Sequence, residues 1–278
     1  MTVTNPLAPY PCMQQGCPIA YDLTLAHFHE RGFMRVPNAF SKQEAETMRA
    51  AVWRVLAYSN IRENEPATWT TERPTHLQEL KNDPVFGAVW GERTRTAISQ
   101  LMERTAWPEP KSWGGFFITF PRGGKWNVPA SEWHADARYT SALAPPEGIR
   151  VHALLGDVEP RSGATVFLAG SHRLLHDWFI QHPPQAGARG ADHRKSLLGH
   201  AYIRDLHQAA DAATRIARFM NRIERHDDIE LQVVENTGSA GDVILAHPLL
   251  LHAASLNAGR APRFLVSGGI DLDSMWGL

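Results

Sequence analysis

The chain has little cysteine. Only Cys12 and Cys17 occur in 278 residues, both near the start. A closed zinc site needs four ligands, and no second thiol pair exists to complete one. Nothing in the sequence marks an oxidising compartment, so two free thiols are expected. Long apolar runs are missing as well, and none reaches the ~18 residues of a membrane-spanning helix. The opening MTVTNPLAPYPC has neither the basic start nor the apolar stretch of a secretory signal. An excess of one charge is also lacking: Lys and Arg number 28, Asp and Glu 29, for a net charge of −1. No basic stripe offers itself to nucleic acid and no polybasic cluster to an anionic membrane. The expectation is a cytoplasmic protein with neither partner. Nothing in the sequence bears on oligomeric state.

What is present is enough apolar residue for a folded core, 43% against 21% charged. Residues 1–20 are proline-rich and aperiodic, an irregular leader. Residues 21–110 read as helical support around one short strand, FMRVPNAF. YDLTLAHFHERG predicts a helix ending at Gly32. Ser41 and Glu44 form a capping-box pattern opening a helix through about Ala57. Asp83 is placed to cap a further helix over PVFGAVWGERTRTAISQLMERT. From about residue 111 to 270 the texture changes to short apolar runs divided by Gly, Pro, Asn, Asp and Ser, the pattern of a β sandwich or barrel. A polar, His- and Arg-rich stretch, about 172–228, interrupts it and predicts a helical insertion, a candidate lid. The whole reads as one domain.

The chemistry concentrates in SEWHADARY, which reads as a strand. His134 and Asp136 are two apart, so in a strand they project to one face. One His and one carboxylate are two thirds of a facial iron site. The segment GDVILAHPLLLHAASLNAGRAPRF offers the missing imidazole. His247 and His252 are five apart and would face opposite sides of one strand, so at most one enters the pocket. Arg263 follows His252 by eleven residues after a turn-rich NAGRAP. A hairpin there returns a guanidinium suited to gripping a carboxylate.

WHAD, DVEPRSGATVFLAGSH and GDVILAHPLLLHAASLNAGRAPRF together resemble the phytanoyl-CoA dioxygenase-like branch of the Fe(II)/2-oxoglutarate oxygenases. That family's pattern is His-x-Asp, a distal His and an Arg eleven residues beyond it, matched here by His134, Asp136, His252 and Arg263. The resemblance spans about residues 113–268, and HERGFMRVPNAFSKQEAETMR is similar to the family's opening. It implies a mainly β, double-stranded β-helix fold (a cupin-like jelly roll) with flanking helices. It implies Fe(II) on His134, Asp136 and His252, with 2-oxoglutarate and O2 as cosubstrates. It assigns the remote carboxylate of 2-oxoglutarate to Arg263, with Thr165 and Ser255 as candidate hydroxyl donors beside it. The implied activity is hydroxylation of a small organic metabolite, with release of succinate and CO2. Related halogenases lack the carboxylate ligand, so Asp136 favours hydroxylation over chlorination. Desaturation or cyclisation on the same site, or a different cupin-type metalloenzyme, is the alternative reading.

Around the motif, Trp126, Trp133, Phe117 and His152 are candidate substrate walls that packing would explain equally well. Arg138 and Tyr139 are candidates for holding an acidic group. Arg260 competes with Arg263 but sits at a turn. His172 and His247 read as packing histidines. A CoA-linked substrate would want a basic groove, and Arg189, Arg194, Lys195 and Arg204 in the insertion could supply one. Asp192 and Asp205 dilute it, which favours a free small metabolite.

Overall fold

A computed structural model describes residues 24–272, apart from 109, 111, 137–141 and 184–189. The leader, Arg138, Tyr139 and Arg189 therefore lie outside the described residues. The first helix, α1 (Leu25–Arg31), starts where the Thr24 side chain accepts from His27 N. It stops at Gly32, whose φ of 86° suits glycine. Strand β1 (Phe33–Val36) follows. Helix α2 (Lys42–Ala57) then opens with the full capping box between Ser41 and Glu44.

The helix expected after Asp83 is not continuous. Asp83 does cap, accepting from Val85 N, but onto a 3-10 helix, Pro84–Trp90. Gly91 is extended, and α3 (Glu92–Leu101) begins after it. Glycine is a poor helix former, and the Trp90 carbonyl is occupied by the Arg95 Nε–H at 2.7 Å. The helix therefore restarts rather than running through.

Two antiparallel sheets form the centre. The larger has the order β1–β7–β3–β9–β2, from β2 (Gly115–Thr119), β3 (Gly148–Leu154), β7 (Val243–Ala246) and β9 (Arg263–Asp271). The smaller runs β5–β6–β4–β8, from β4 (Thr165–Ala169), β5 (Glu224–His226), β6 (Ile229–Glu235) and β8 (His252–Ala254). Strand alternation divides the apolar residues into three layers. Met34, Phe116, Ile118, Val151 and Val266 face outward from the large sheet into a core shared with α2, α3 and the 3-10 turns. Phe33, Leu154, Phe167, Val234, Ile244 and Leu265 fill the space between the sheets. Val166, Leu168, Leu231 and Ala253 face outward from the small sheet. The insertion covers them with Leu174, Phe179, Tyr202, Ile203 and Phe219. This is the jelly roll with flanking helices.

The insertion is helical, as α4 (Ser171–Gln181), α5 (Gly190–Leu197), α6 (Ala201–Leu206) and α7 (Ala212–Phe219). It is packed on the outer face of the small sheet.

Candidate metal centre

Phe167 on β4 pairs with His252 on β8, and Thr165 with Ala254. Phe167 faces the space between the sheets, so Thr165, His252 and Ala254 face it too. His247 and His252 do not share a strand: β7 ends at Ala246 and β8 begins at His252. His247 is buried in the intervening turn against His172, ring centroids 5.1 Å apart.

The described part of SEWHADARY, 131–136, is not a regular strand either. Glu132 takes a left-handed φ of 64°, and among the described residues the pairing is a one-residue bridge between His134 and His252. Two backbone hydrogen bonds make that bridge, His134 N to His252 O at 3.0 Å and His252 N to His134 O at 2.9 Å. Asp136 N donates to Pro248 O at 3.1 Å. The three side chains converge by this turn rather than by strand alternation.

Their ligating atoms all lie within 4.8 Å of one another, and among the described residues no other such group of three occurs. His134 Nε2 is 3.8 Å from Asp136 Oδ1, and His252 Nε2 is 3.5 Å from Asp136 Oδ2. Each ring also donates from Nδ1 to the backbone carbonyl two residues before it, His134 to Glu132 O at 2.7 Å and His252 to Leu250 O at 3.0 Å. A carbonyl only accepts, so Nδ1 carries a proton, and Nε2 is the nitrogen that each ring turns toward the centre. Burial lowers the His252 pKa, which keeps that ring neutral. Burial alone would raise the Asp136 carboxyl, but the positive charges facing it, His252 in its protonated form and then Arg150, outweigh burial and hold it below its ordinary value. Two neutral imidazoles and an ionised carboxylate are the donor set of a facial iron site. The His134 side chain is 45% exposed and that of His252 12%, so one side of the centre is open.

Arg263 lies on the inner face of β9. Its Nε donates to Gly163 O at 2.8 Å and its Nη1 to Phe117 O at 3.0 Å. It is 4% exposed and has no carboxylate partner among the described residues. Burial, and secondarily Arg73, lowers its pKa to about 9. It lines a cavity of about 430 Å³ together with Arg73, Lys81, Phe117, Thr119 and Ala254. Ala254 is two residues past His252 on the same face of β8, so one strand contributes to both the cavity and the metal centre. Sequence reasoning missed Arg73 and Lys81. They come from a segment without regular strands or α-helices, and no spacing announces their arrival.

The other candidates separate. Phe117 is 51% exposed at the cavity wall. His152 is buried between the sheets, 5.9 Å from the His252 ring and 5.5 Å from Phe167, and neither ring nitrogen has a hydrogen-bond partner. Burial pushes its pKa down to about 3. Thr165 is buried on the inner face, whereas the Ser255 hydroxyl is committed to Ala164 O at 2.7 Å. Trp126 and Trp133 pack in the layer outside the small sheet and do not line the Arg263 cavity. Arg260 is exposed.

The family model for phytanoyl-CoA dioxygenase (PhyH) matches residues 28–265. The chain belongs to that family. As a PhyH member it is a 2-oxoglutarate-dependent non-heme iron oxygenase, with iron and 2-oxoglutarate as its cofactors. Its fold is that of AviO1 from Streptomyces viridochromogenes Tue57, at 16% identity and a TM-score of 0.53, covering 92% of this chain and 97% of that one. It is likewise similar to SnoK, a non-heme alpha-ketoglutarate-dependent carbocyclase from nogalamycin biosynthesis, at 16% identity and a TM-score of 0.52, covering 90% and 83%. The non-heme monooxygenase ThoJ aligns at 20% identity and a TM-score of 0.51, covering 90% and 77%. No curated protein is a significant match. No helix among the described residues is long and apolar enough to cross a membrane.

Proposed function

We propose that this PhyH protein hydroxylates a free small organic metabolite. His134, Asp136 and His252 hold Fe(II), and Arg263 receives the remote carboxylate of 2-oxoglutarate. Bound iron and 2-oxoglutarate supply the oxidative chemistry, coupling uptake of dioxygen to release of succinate and CO2. The observation that carries the reading is the pairing of this donor set with a buried guanidinium that has no carboxylate partner among the described residues, in a cavity that shares strand β8 with the centre. A buried cation without a counter-ion is costly, and a bidentate carboxylate removes that cost.

The protein's own residues bind, orient and exclude water. Lys81 and Arg73 add further basic side chains to the cavity, Arg73 already paired with Glu132 at 3.3 Å, which strengthens its preference for an anion. Thr165 faces the same interior and is a candidate hydroxyl donor. Phe117 offers an exposed ring at the wall, suited to an apolar part of the substrate. His152, neutral and unpartnered beside His252, offers one donor and one acceptor to a ligand at the centre.

A free metabolite is favoured over a CoA thioester. Arg194, Lys195 and Arg204 do not line the cavity. The test is succinate formation from 2-oxoglutarate, with and without His134→Ala and Asp136→Ala. Both variants are expected to be inactive, and full turnover in either would sink the reading. Product mass then decides the outcome: gain of one oxygen for hydroxylation, loss of two hydrogens for desaturation or cyclisation.

A further inference from the structure

The backbones of His134 and His252 hold each other through their mutual bridge. Asp136 has no such partner. Its N–H reaches Pro248 O, and among the described residues the donor to its carbonyl is the Arg150 side chain, Nη2 to O at 3.1 Å. The same Nη2 donates to Asp271 Oδ1 at 2.6 Å.

The sheet builds this contact. Arg150 on β3 stands opposite Gly269 on β9, and Asp271 is two residues further along the same face. A Cβ on Gly269 would sit 2.1 Å from Arg150 Nη1, so the guanidinium crosses β9 in the space glycine leaves. Asp271 then holds it in that position, with side-chain exposures of 13% for Arg150 and 25% for Asp271. Arg150 grips the peptide oxygen of Asp136 and leaves both carboxylate oxygens to the centre.

We infer that Arg150, aimed by Asp271 across Gly269, is a positioning residue that orients the Asp136 carboxylate for metal. The inference rests on the metal-centre reading given above. Residues that orient a ligand from behind typically change metal affinity 10–100-fold when lost.

The test is anaerobic Fe(II) titration of the full chain by competition with a chelator, carried out on Arg150→Gln, Asp271→Asn and Gly269→Ala. Thermal unfolding of each metal-free protein is measured alongside. Gly269→Ala is the decisive variant, because it changes no charge and its new methyl meets the guanidinium first, at 2.1 Å from Nη1, against 3.1 Å to the Ile149 carbonyl. About tenfold or greater loss of Fe(II) affinity is expected, with the metal-free unfolding midpoint unchanged. Arg150→Lys is expected to recover part of the loss. If Arg150→Gln fails to fold, Gly269→Ala still decides. Affinity that falls less than tenfold in Gly269→Ala, or only in step with a lowered midpoint, would overturn the inference. Failure of the unaltered protein to take up Fe(II) would overturn the metal centre and this inference together, and so is distinguishable.

Discussion

Arg263 shows how much a single side chain can determine. It is buried, its pKa is lowered to about 9 by burial and then by Arg73, and among the described residues its hydrogen-bond partners are two backbone carbonyls. A charged hydrogen bond contributes about 1.5–3 kcal/mol, so removing the fork should weaken 2-oxoglutarate about 10–100-fold. Arg263→Lys keeps the charge but not the planar pair of donors. It is expected to raise KM for 2-oxoglutarate by at least about tenfold while kcat at saturation falls less. An unchanged KM would remove Arg263 from the cosubstrate site. The meeting of His134, Asp136 and His252 was legible from the order of the motifs along the chain, although the strand alternation expected to bring it about is replaced by a turn and a single bridge. Arg150, Arg73 and Lys81 were not legible, because each reaches its place through sheet register or an irregular segment, and linear sequence shows neither. Trp126 and Trp133 misled for the opposite reason: they are neighbours of the motif in sequence but pack behind the sheet.

Among the elements, those with their own start and stop signals were readable. The capping box of α2 and the glycine stop of α1 appear where the residues predict them. Ser41→Ala is expected to cost about 1 kcal/mol, seen as a lower urea midpoint with Fe(II) affinity unchanged. The break at Gly91 was harder to read, because apolar spacing continues across it and the extended Gly91 is backed by an Arg95 bond to Trp90 O that sequence does not show. The insertion was read as helical and its attachment was not. Arg215 is 2% exposed and donates to Val128 O at 3.1 Å, Pro129 O at 2.9 Å and Leu206 O at 2.7 Å. Its guanidinium also bonds Gln208 O. It therefore ties α6 and α7 to the segment leading into the metal motif, where Trp133 Nε1 donates to the same Pro129 carbonyl at 2.8 Å. Arg215→Met leaves those carbonyls buried and unmet. A loss of about 3 kcal/mol or more is expected in urea unfolding. A loss below about 1 kcal/mol would show that the insertion is held by its apolar face alone.

Across the whole molecule, two sheets separate three apolar layers, and buried histidines lie within them. His172 and His247 are neighbours, and burial lowers both, His247 to about 4. Their ordinary value is 6.5, so above that pH both rings are neutral whether folded or not. Below it the unfolded chain takes up protons that the folded chain refuses, and stability falls as pH drops toward about 4. The thermal midpoint of the metal-free protein is expected to decline over that window. A flat profile from pH 7 to pH 4.5 would contradict the burial of the pair. The layered architecture was legible from its short strands and turns, whereas the order of strands within each sheet was not.

The bridge between His134 and His252 carries a consequence for how the protein is made. His134 leaves the ribosome well before its partner, and until β8 has been synthesised and docked on β4 the nascent chain holds only part of the ligand set. On the proposed metal centre, redox-active iron therefore finds its complete seat only once β8 is in place, when the strands made before it already exist to contain what the metal does.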